Sequence, residues 1–456
     1  MSTLTTLVVK GAAIALVAVA LCACGGGGGG AGDPPAANPP PADPPPADPP
    51  PDDPPPADPP PADPPPDDPP TACIPETDVL FPALVYLVPG QTPETREYRL
   101  ASSDGCRTEV ILTDVDGGFN EPTGVFSNGE GFIAWTTLRD KAVQLRRFEV
   151  TGTAGAEIVA RQPVETVLGI TGEYEDEFFT HVEAWRGAGQ ELLTVLRVQA
   201  SGDGTRRSLL LVDVNTGVVT DLWFLTAGAQ LNCLQSAQDG GTNPITDAAC
   251  VMPFPPLSWT ADGQRIYFGL LLTDQPGFDR HTGTARIERE DPAGGCRDGL
   301  PELGNGWCGP EIVHTDKSQS DTNPPTGGSV RLAGFDGAPE LLATQHWLEG
   351  DIIGTGQWSV VVLDANFCAD LYADPAQIDS LLASGDAWRN CKYEGIPLQE
   401  FAVGVTPEWS QNWQELYYWG RGPATDDTIR RFNPSGVPTD GDREVVDPGS
   451  QFGVLR

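Results

Sequence analysis

Cysteines are the residues of this sequence whose chemistry follows most directly from their spacing. Ten are present, with Cys22 and Cys24 near the N-terminus and eight beyond residue 70. Those eight are Cys73, Cys106, Cys233, Cys250, Cys296, Cys308, Cys368 and Cys391. Their number is even and no C-x-x-C pair occurs, which favours disulfides over zinc in an exported protein. We predict that neighbours pair (73 with 106, 233 with 250, 296 with 308, 368 with 391), although eight cysteines allow many other pairings.

Other patterns for catalysis or metal binding are weak. The histidines lack H-x-x-x-H or H-E-x-x-H spacing, so no metal site is predicted. They are His181, His281, His314 and His346. The serine hydrolase motif G-x-S-x-G does not occur. The acidic segment 173–177 is predicted to be a solvated loop, with calcium binding as the alternative and no other cofactor indicated. Carboxylates are numerous, so the fold could still form a glycosidase-like pair that leaves no sequence signature.

The N-terminal segment has the features of an export signal. Lys10 is followed by the apolar run 11–21, which is too short to span a bilayer. The sequence Leu21-Cys22-Ala23-Cys24 resembles the lipobox of bacterial lipoproteins. That resemblance implies a signal peptide over 1–23 and acylation of Cys24. Cys22 is the competing acceptor, and an ordinary secretory signal is the alternative.

Residues 24–70 are predicted to be a disordered tether between the acylated cysteine and a folded domain. Six glycines, 25–30, precede proline-rich pentads that contain aspartate and no basic residue. Proline removes backbone donors and disfavours the α region before it, so the run is predicted to be polyproline II, about 120 Å long if fully extended. A proline-rich ligand for a partner domain is the alternative. Gly25, where aspartate would retain an enterobacterial lipoprotein at the inner membrane, favours the outer membrane and leaves open whether the domain faces the periplasm or the outside.

Residues 71–456 are predicted to be an all-β domain. Short apolar or alternating runs, such as Leu84–Val88, Phe132–Trp135 and Ser359–Leu363, are separated by Gly, Asp and Asn turns. The fair helix candidate is Pro375–Ala383. The net charge of the chain is −37, which argues against nucleic acid or anionic lipid as a partner.

Internal similarity indicates the type of β fold. Pro256–Gly269 aligns with Pro407–Gly420 and, more weakly, with Gly124–Trp135, and each segment reads as a hairpin with an aromatic residue before its turn. These segments resemble the W-S-P-D-G repeat of TolB-like, WD-like β-propellers. The resemblance implies about six four-stranded blades, with seven as the alternative, near 80–118, 123–161, 165–224, 255–315, 328–365 and 396–446. Trp259 and Trp409 are predicted to pack between blades, and 213–217 is predicted to be a β-turn rather than a calcium loop. A pair of β-sandwiches is the alternative fold.

These features predict a membrane-anchored, monomeric binding or scaffold module for a protein, peptide or glycan, and catalysis is not expected. The alternative is a propeller-fold glycan hydrolase or lyase. Two carboxylates and an arginine converging at the channel mouth would favour that alternative.

Overall fold

The computed structural model describes the folded part of the chain in segments. These are residues 79–90, 95–114, 122–137, 140–152, 157–169, 177–201, 204–226, 252–271, 281–297, 300–317, 330–333, 340–349, 356–374, 390–391, 393, 404–409, 416–420, 429–432, 443–446 and 451–455. All of them belong to the unit Pro70–Arg456. The signal peptide, Cys24, the tether, Cys73, Cys233, Cys250 and residues 173–176 lie outside the described residues.

The described residues are almost all in strands, which confirms the all-β prediction. The first twelve strands are β1 Leu84–Pro89, β2 Arg96–Ala101, β3 Thr108–Asp114, β4 Thr123–Ser127, β5 Glu130–Thr137, β6 Ala142–Thr151, β7 Glu157–Ala160, β8 Glu165–Gly169, β9 Glu177–Gly187, β10 Gln190–Ser201, β11 Gly204–Asp213 and β12 Val219–Thr226. The others are β13 Met252–Trp259, β14 Arg265–Leu271, β15 His281–Arg289, β16 Glu302–Gly304, β17 Trp307–Lys317, β18 Val330–Ala333, β19 Leu341–Glu349, β20 Gly356–Asp364, β21 Gly404–Trp409, β22 Leu416–Gly420, β23 Ile429–Phe432, β24 Arg443–Val446 and β25 Gln451–Val454.

These strands form six antiparallel sheets that follow one another along the chain. The first sheet has the order β25-β1-β2-β3, the second β4-β5-β6-β7, and the third β12-β11-β10-β9. The fourth is β13-β14-β15-β17-β16, the fifth β18-β19-β20, and the sixth β21-β22-β23-β24. The predicted boundary at 165 is wrong, because β8 pairs with β6 and belongs to the second sheet.

Each sheet packs on its sequence neighbours through one strand in particular. Strand β4 contacts β9, β9 contacts β13, β13 contacts β18, and β18 contacts β21. Strand β25 contacts both β21 and β4, and Leu455 next to it bridges Gly124. Small antiparallel sheets that succeed one another and pack in chain order are the propeller type of β architecture.

Central strands are buried on both faces because a sheet lies on either side of them. In β5, Phe132 and Ala134 belong to a core shared with the third sheet. Ile133 and Trp135 belong to a core shared with the first sheet, where the Trp135 and Tyr98 rings are 4.8 Å apart. This two-sided burial explains why such strands read as continuous apolar runs rather than as alternating ones.

Trp259 lies between the third and fourth sheets, as predicted. Its side chain is fully buried, stacks on Trp185 at 5.6 Å and meets Trp307 edge-on at 6.0 Å. The side chain of Trp409 lies outside the described residues.

The predicted hairpins are present, and one turn occurs twice. Strand β13 pairs with β14, β4 with β5 across Asn128 (φ 55°) and Gly129 (φ 81°), and β21 with β22. In the turn 260–265, the Thr260 hydroxyl donates to Asp262 at 2.7 Å and accepts from the Arg265 N–H at 2.9 Å. The Ser102 hydroxyl makes the same pair of bonds in the turn 102–107, at 2.5 and 3.0 Å, a copy that the sequence comparison missed.

The helix of the described part, α1 (Ala365–Ala373), was not predicted. Asp364 caps it by accepting from the Phe367 N–H at 2.9 Å, and its buried face includes Cys368 and Tyr372. The helix candidate 375–383 lies outside the described residues. Within the described part, no helix is long and apolar enough to cross a membrane.

Two of the predicted disulfides are described. Cys296 pairs with Cys308 and Cys368 pairs with Cys391, which confirms both neighbour pairings. Cys106 is also disulfide-bonded.

Candidate functional site

A polar pocket of about 550 Å³ opens on the fourth sheet. Its lining comes from the turn before β14 and from residues 288–297, which include the end of β15 and the loop after it. The volume falls within the range of about 300–1,000 Å³ that is usual for small-ligand sites. Among the described lining residues, the apolar side chains are small (Pro292, Ala293 and disulfide-bonded Cys296), so the pocket suits a polar ligand.

The turn 260–265 sets one wall of this pocket. Asp262 accepts from the Gln264 N–H at 2.9 Å as well as from the Thr260 hydroxyl, and Gly263 takes a φ of 68° that favours glycine. These bonds fix the Gly263 carbonyl, which accepts a hydrogen bond from Arg289 Nε at 3.0 Å.

Arg289 is the unusual charge of the pocket. Its guanidinium carbon lies 4.9 Å from the centre of the buried Trp307 ring, a cation–π contact that orients the side chain. Burial lowers the pKa of Arg289 below its ordinary value. No carboxylate of the described residues lies within ion-pair distance of this guanidinium. Within the described part of the chain, Arg289 therefore lines the pocket as a positive charge without a carboxylate partner.

The other two arginines of the pocket are already neutralised. Arg265 lies 3.3 Å from Glu288 and 2.9 Å from Glu340. Arg297 lies 3.6 Å from Glu288 and also pairs with Glu311. These pairs leave Asp262, Glu290 and Asp291 as lining carboxylates that have no ion pair within the described part of the chain.

The loop that carries Glu290 and Asp291 is shaped by internal hydrogen bonds and attached to β17 by a disulfide. The Asp291 side chain accepts from the Ala293 N–H at 2.7 Å, and the Asp291 carbonyl accepts from the Gly294 N–H at 2.7 Å. The Cys296–Cys308 disulfide joins the far end of the loop to β17. We infer a preformed wall rather than a segment that must fold on its ligand.

A grouping of possible metal ligands occurs here and does not form a metal site. One carboxylate oxygen of Glu290 and the sulfur atoms of Cys296 and Cys308 lie within 4.8 Å of one another. Metal binding by cysteine requires the thiolate, whereas both of these sulfurs are in a disulfide. The donor set therefore does not fit a metal ion while the disulfide is intact.

Behind the pocket lies a buried charged network that connects the fourth sheet to the fifth. Arg286 is 1% exposed and lies 2.7 Å from Glu311 and 3.2 Å from Glu340. Its Nη1 also donates to the Tyr267 hydroxyl at 2.8 Å and to the Asn366 side-chain carbonyl at 2.6 Å. The network thereby ties β14, β15 and β17 to α1 and to the residue before β19.

Burial and charge have opposite effects in this network. Burial raises the pKa of Tyr267, so its hydroxyl stays protonated and donates to Glu340 at 3.1 Å. Burial acts to lower the pKa of Arg286, but Tyr267 and Glu311 raise it above its ordinary value. The guanidinium is therefore charged at every pH at which the protein is folded.

Arg286→Met is expected to destabilise the domain by about 3–5 kcal/mol, because breaking a buried ion pair leaves uncompensated charge. Arg265 and Arg297 still face the two acids, so the loss should fall at the lower end. Chemical denaturation of wild type and variant measures it. The matched control is Arg161→Met, since Arg161 pairs with Glu130 on the surface with 42% and 54% of the two side chains exposed; that pair should contribute about 0–1 kcal/mol. Equal losses in the two variants would contradict a structural role for the network.

The structure does not gather the candidate residues of the sequence into this pocket. His181 lies in β9 of the third sheet and His314 in β17 of the fourth, where it is buried. The side chains of His281 and His346 lie outside the described residues. Residues 213–217 form a β-turn, as predicted, with Asp213 accepting from the Asn215 and Thr216 N–H groups at 2.9 Å.

One described residue of the acidic segment, Glu177, belongs to a separate charged cluster on the third sheet. Arg197 lies 3.8 Å from Glu177 and 3.3 Å from Asp221. The three residues lie on β9, β10 and β12, so one guanidinium bridges two carboxylates across the sheet.

Sequence reasoning missed Arg289 and the network of Arg286. A signal was available in β15, where Arg286 and Glu288 alternate with the buried Ala285 and Ile287. Such alternation is ordinarily a solvated strand face. Here the charged side faces the next sheet and the pocket.

Comparison with known proteins gives a resemblance of fold. No family model matches the sequence, and no curated protein matches it. TolB from Acinetobacter baumannii superposes with a TM-score of 0.42 at 12% identity, over 82% of this chain and 66% of that one. The sialidase of Trypanosoma rangeli gives 0.36 at 10% identity, over 75% and 50%, and the arabinanase of Bacillus subtilis gives 0.31 at 9%, over 70% and 90%. This chain is thus similar to several β proteins at a level that does not extend to function.

Proposed function

We propose that this protein is an extracytoplasmic, lipid-anchored propeller that acts by binding. In this proposal Cys24 carries the lipid, residues 24–70 hold the domain away from an outer membrane, and residues 71–456 form six blades. The partner is a protein, peptide or glycan, and the protein works as a monomer.

The proposed ring of six blades is supported by the contacts of one strand from each sheet. The strands β25, β4, β9, β13, β18 and β21 each contact the next, and β21 contacts β25. In the first sheet, β25 from the end of the chain pairs with β1 from the beginning of the domain, as Leu84 opposite Val454. Joining the first and last strands in one sheet closes a ring and leaves only short, protected edges.

The observation that carries the binding proposal is the charge pattern of the pocket on the fourth sheet. Its Glu288 is neutralised by arginines, whereas Arg289 is oriented by Trp307 and left without a carboxylate among the described residues. A cation that is held in place without a counter-ion suits recognition of a polar ligand. Covalent catalysis would instead need a nucleophile next to a base.

A second function, a propeller-fold glycan hydrolase or lyase, is favoured by Glu177, Arg197 and Asp221. Two carboxylates close to one arginine match the residue types named above for such an enzyme, and here they lie on strands of the third sheet. Against it, the arginine lies between the two carboxylates, whereas glycosidases place their carboxyl groups across the substrate.

Purified residues 71–456 are expected to show no turnover of esters, peptides or glycans. Panels of chromogenic and reducing-end substrates measure this, with the Glu177→Gln and Asp221→Asn variants assayed in parallel. Activity that either substitution abolishes would replace the binding proposal with the enzymatic one.

A further inference from the structure

The pocket on the fourth sheet carries unpaired charges of both signs. Arg289 has no carboxylate partner among the described residues, and Glu290 and Asp291 have no cationic one there. Unpaired charges in a preformed pocket are the groups that a ligand can neutralise without first breaking an internal pair.

We propose, building on the binding function above, that this pocket recognises a peptide segment that carries both an acidic and a basic side chain. The acidic group pairs with Arg289, and the basic group pairs with Glu290 and Asp291. A carboxylate can form two parallel hydrogen bonds with a guanidinium. Among the described residues, the Arg289 side chain donates only through Nε, to the Gly263 carbonyl.

Three features favour such a peptide over other polar ligands. The unpaired groups of the described lining are Arg289 and the carboxylates of Asp262, Glu290 and Asp291, which sum to two negative charges. A ligand with acidic groups alone therefore meets repulsion from these carboxylates. The chain as a whole has a net charge of −37, which attracts segments with a basic residue and repels polyanions. The small apolar side chains of the lining offer little surface to a hydrophobic ligand.

The rigidity of the site adds to this selectivity. The Trp307 ring orients the Arg289 guanidinium through their cation–π contact. The Cys296–Cys308 disulfide restrains the loop that carries Glu290 and Asp291. A site that is organised before binding loses less entropy when the ligand arrives. The fixed positions of Arg289 and the two carboxylates should therefore select peptides by the spacing between their acidic and basic side chains.

The test is calorimetric titration of residues 71–456 with three blocked pentapeptides at low salt. One contains a lysine and an aspartate separated by glycine, one contains two lysines, and one contains two aspartates; oligogalacturonate serves as an acidic glycan. We expect the mixed peptide to bind at least about tenfold more tightly than the other three probes.

Substitutions test separately the cationic half of the site, Arg289, and the anionic half, Glu290 and Asp291. Arg289→Gln should weaken the mixed peptide about tenfold or more, and Glu290→Gln combined with Asp291→Asn should do so independently. Arg161→Gln, at an exposed pair on the second sheet, is the control that should leave binding unchanged. Circular dichroism and thermal melting verify that each variant is folded.

The inference is overturned if the mixed peptide does not bind, if it binds the Arg289→Gln protein equally well, or if oligogalacturonate binds more tightly. These outcomes differ from a failure of the proposed function, which would appear as substrate turnover whatever the peptides do.

Discussion

Truncation after Ser450 is expected to abolish cooperative folding of the domain. The removed strand β25 pairs with β1 over Leu84–Leu87 and buries Phe452, Val454 and the adjacent Leu455. Burying one such side chain contributes about 1.5–3 kcal/mol, so the three together contribute about 5–9 kcal/mol. A typical domain is stable by only about 5–15 kcal/mol. Thermal unfolding followed by circular dichroism should show no sharp transition for the truncated chain.

A point substitution tests the same closure with less disturbance. A Cβ added at Gly453 would lie 2.0 Å from the carbonyl oxygen of Pro122, next to the second sheet, so Gly453→Ala should destabilise by about 1–3 kcal/mol or more. At Gly169 the nearest atom would be Thr166 Cγ2 at 3.8 Å, so Gly169→Ala should have little effect and serves as the control. Equal stability of the two variants would show that β25 does not pack against β4 in solution.

Cys24→Ala is expected to move the whole protein from the membrane fraction to the soluble fraction of the cell envelope. Each acyl chain contributes about 0.8 kcal/mol per buried CH₂, so two or more chains anchor a protein stably whereas one chain binds reversibly. Metabolic labelling with an alkyne fatty acid and detergent-free fractionation measure the loss. Cys22→Ala is the matched control and should remain labelled and membrane-bound.

The opposite pattern, with label lost from the Cys22→Ala protein and kept by the Cys24→Ala protein, would move the acylation site to Cys22. Label kept by both variants and by the double variant would refute the lipoprotein proposal.

Much of the fold could be predicted because its strands have strong local signals. Runs such as the one at Leu84 are apolar on both faces, since a sheet covers each side, and the turn at Asp262 and Gly263 depends on side chains within six residues of one another. The two described disulfides between neighbouring cysteines could also be predicted, because a short loop keeps the two cysteines at its ends close together.

Other features of the fold depend on partners far away in the sequence. Strand β25 has only four residues, Gln451–Val454, and its place beside β1 depends on a pairing across the whole domain. Strand β8 was placed in the wrong sheet because a strand between two sheets can pair with either. Helix α1 begins directly after the last residue of β20. Its short apolar run therefore looks in the sequence like a continuation of the strand.

The candidate site could not be predicted from the sequence, because it too depends on contacts between distant residues. In the sequence, Arg289 looks like any other arginine of a strand end. It differs in its surroundings, because its guanidinium contacts the Trp307 ring and has no carboxylate partner among the described residues. Arg286 pairs with Glu340, which is 54 residues away. Neither spacing nor composition reports such contacts.

The pairing of β1 with β25 also constrains how this protein can fold. Contacts that join the two ends of a domain raise contact order and slow folding, because long loops must close before the contacts form. Until β25 is available, β1 has one open edge that other chains could pair with. The first sheet is therefore the part of the domain most exposed to aggregation before β25 pairs with β1.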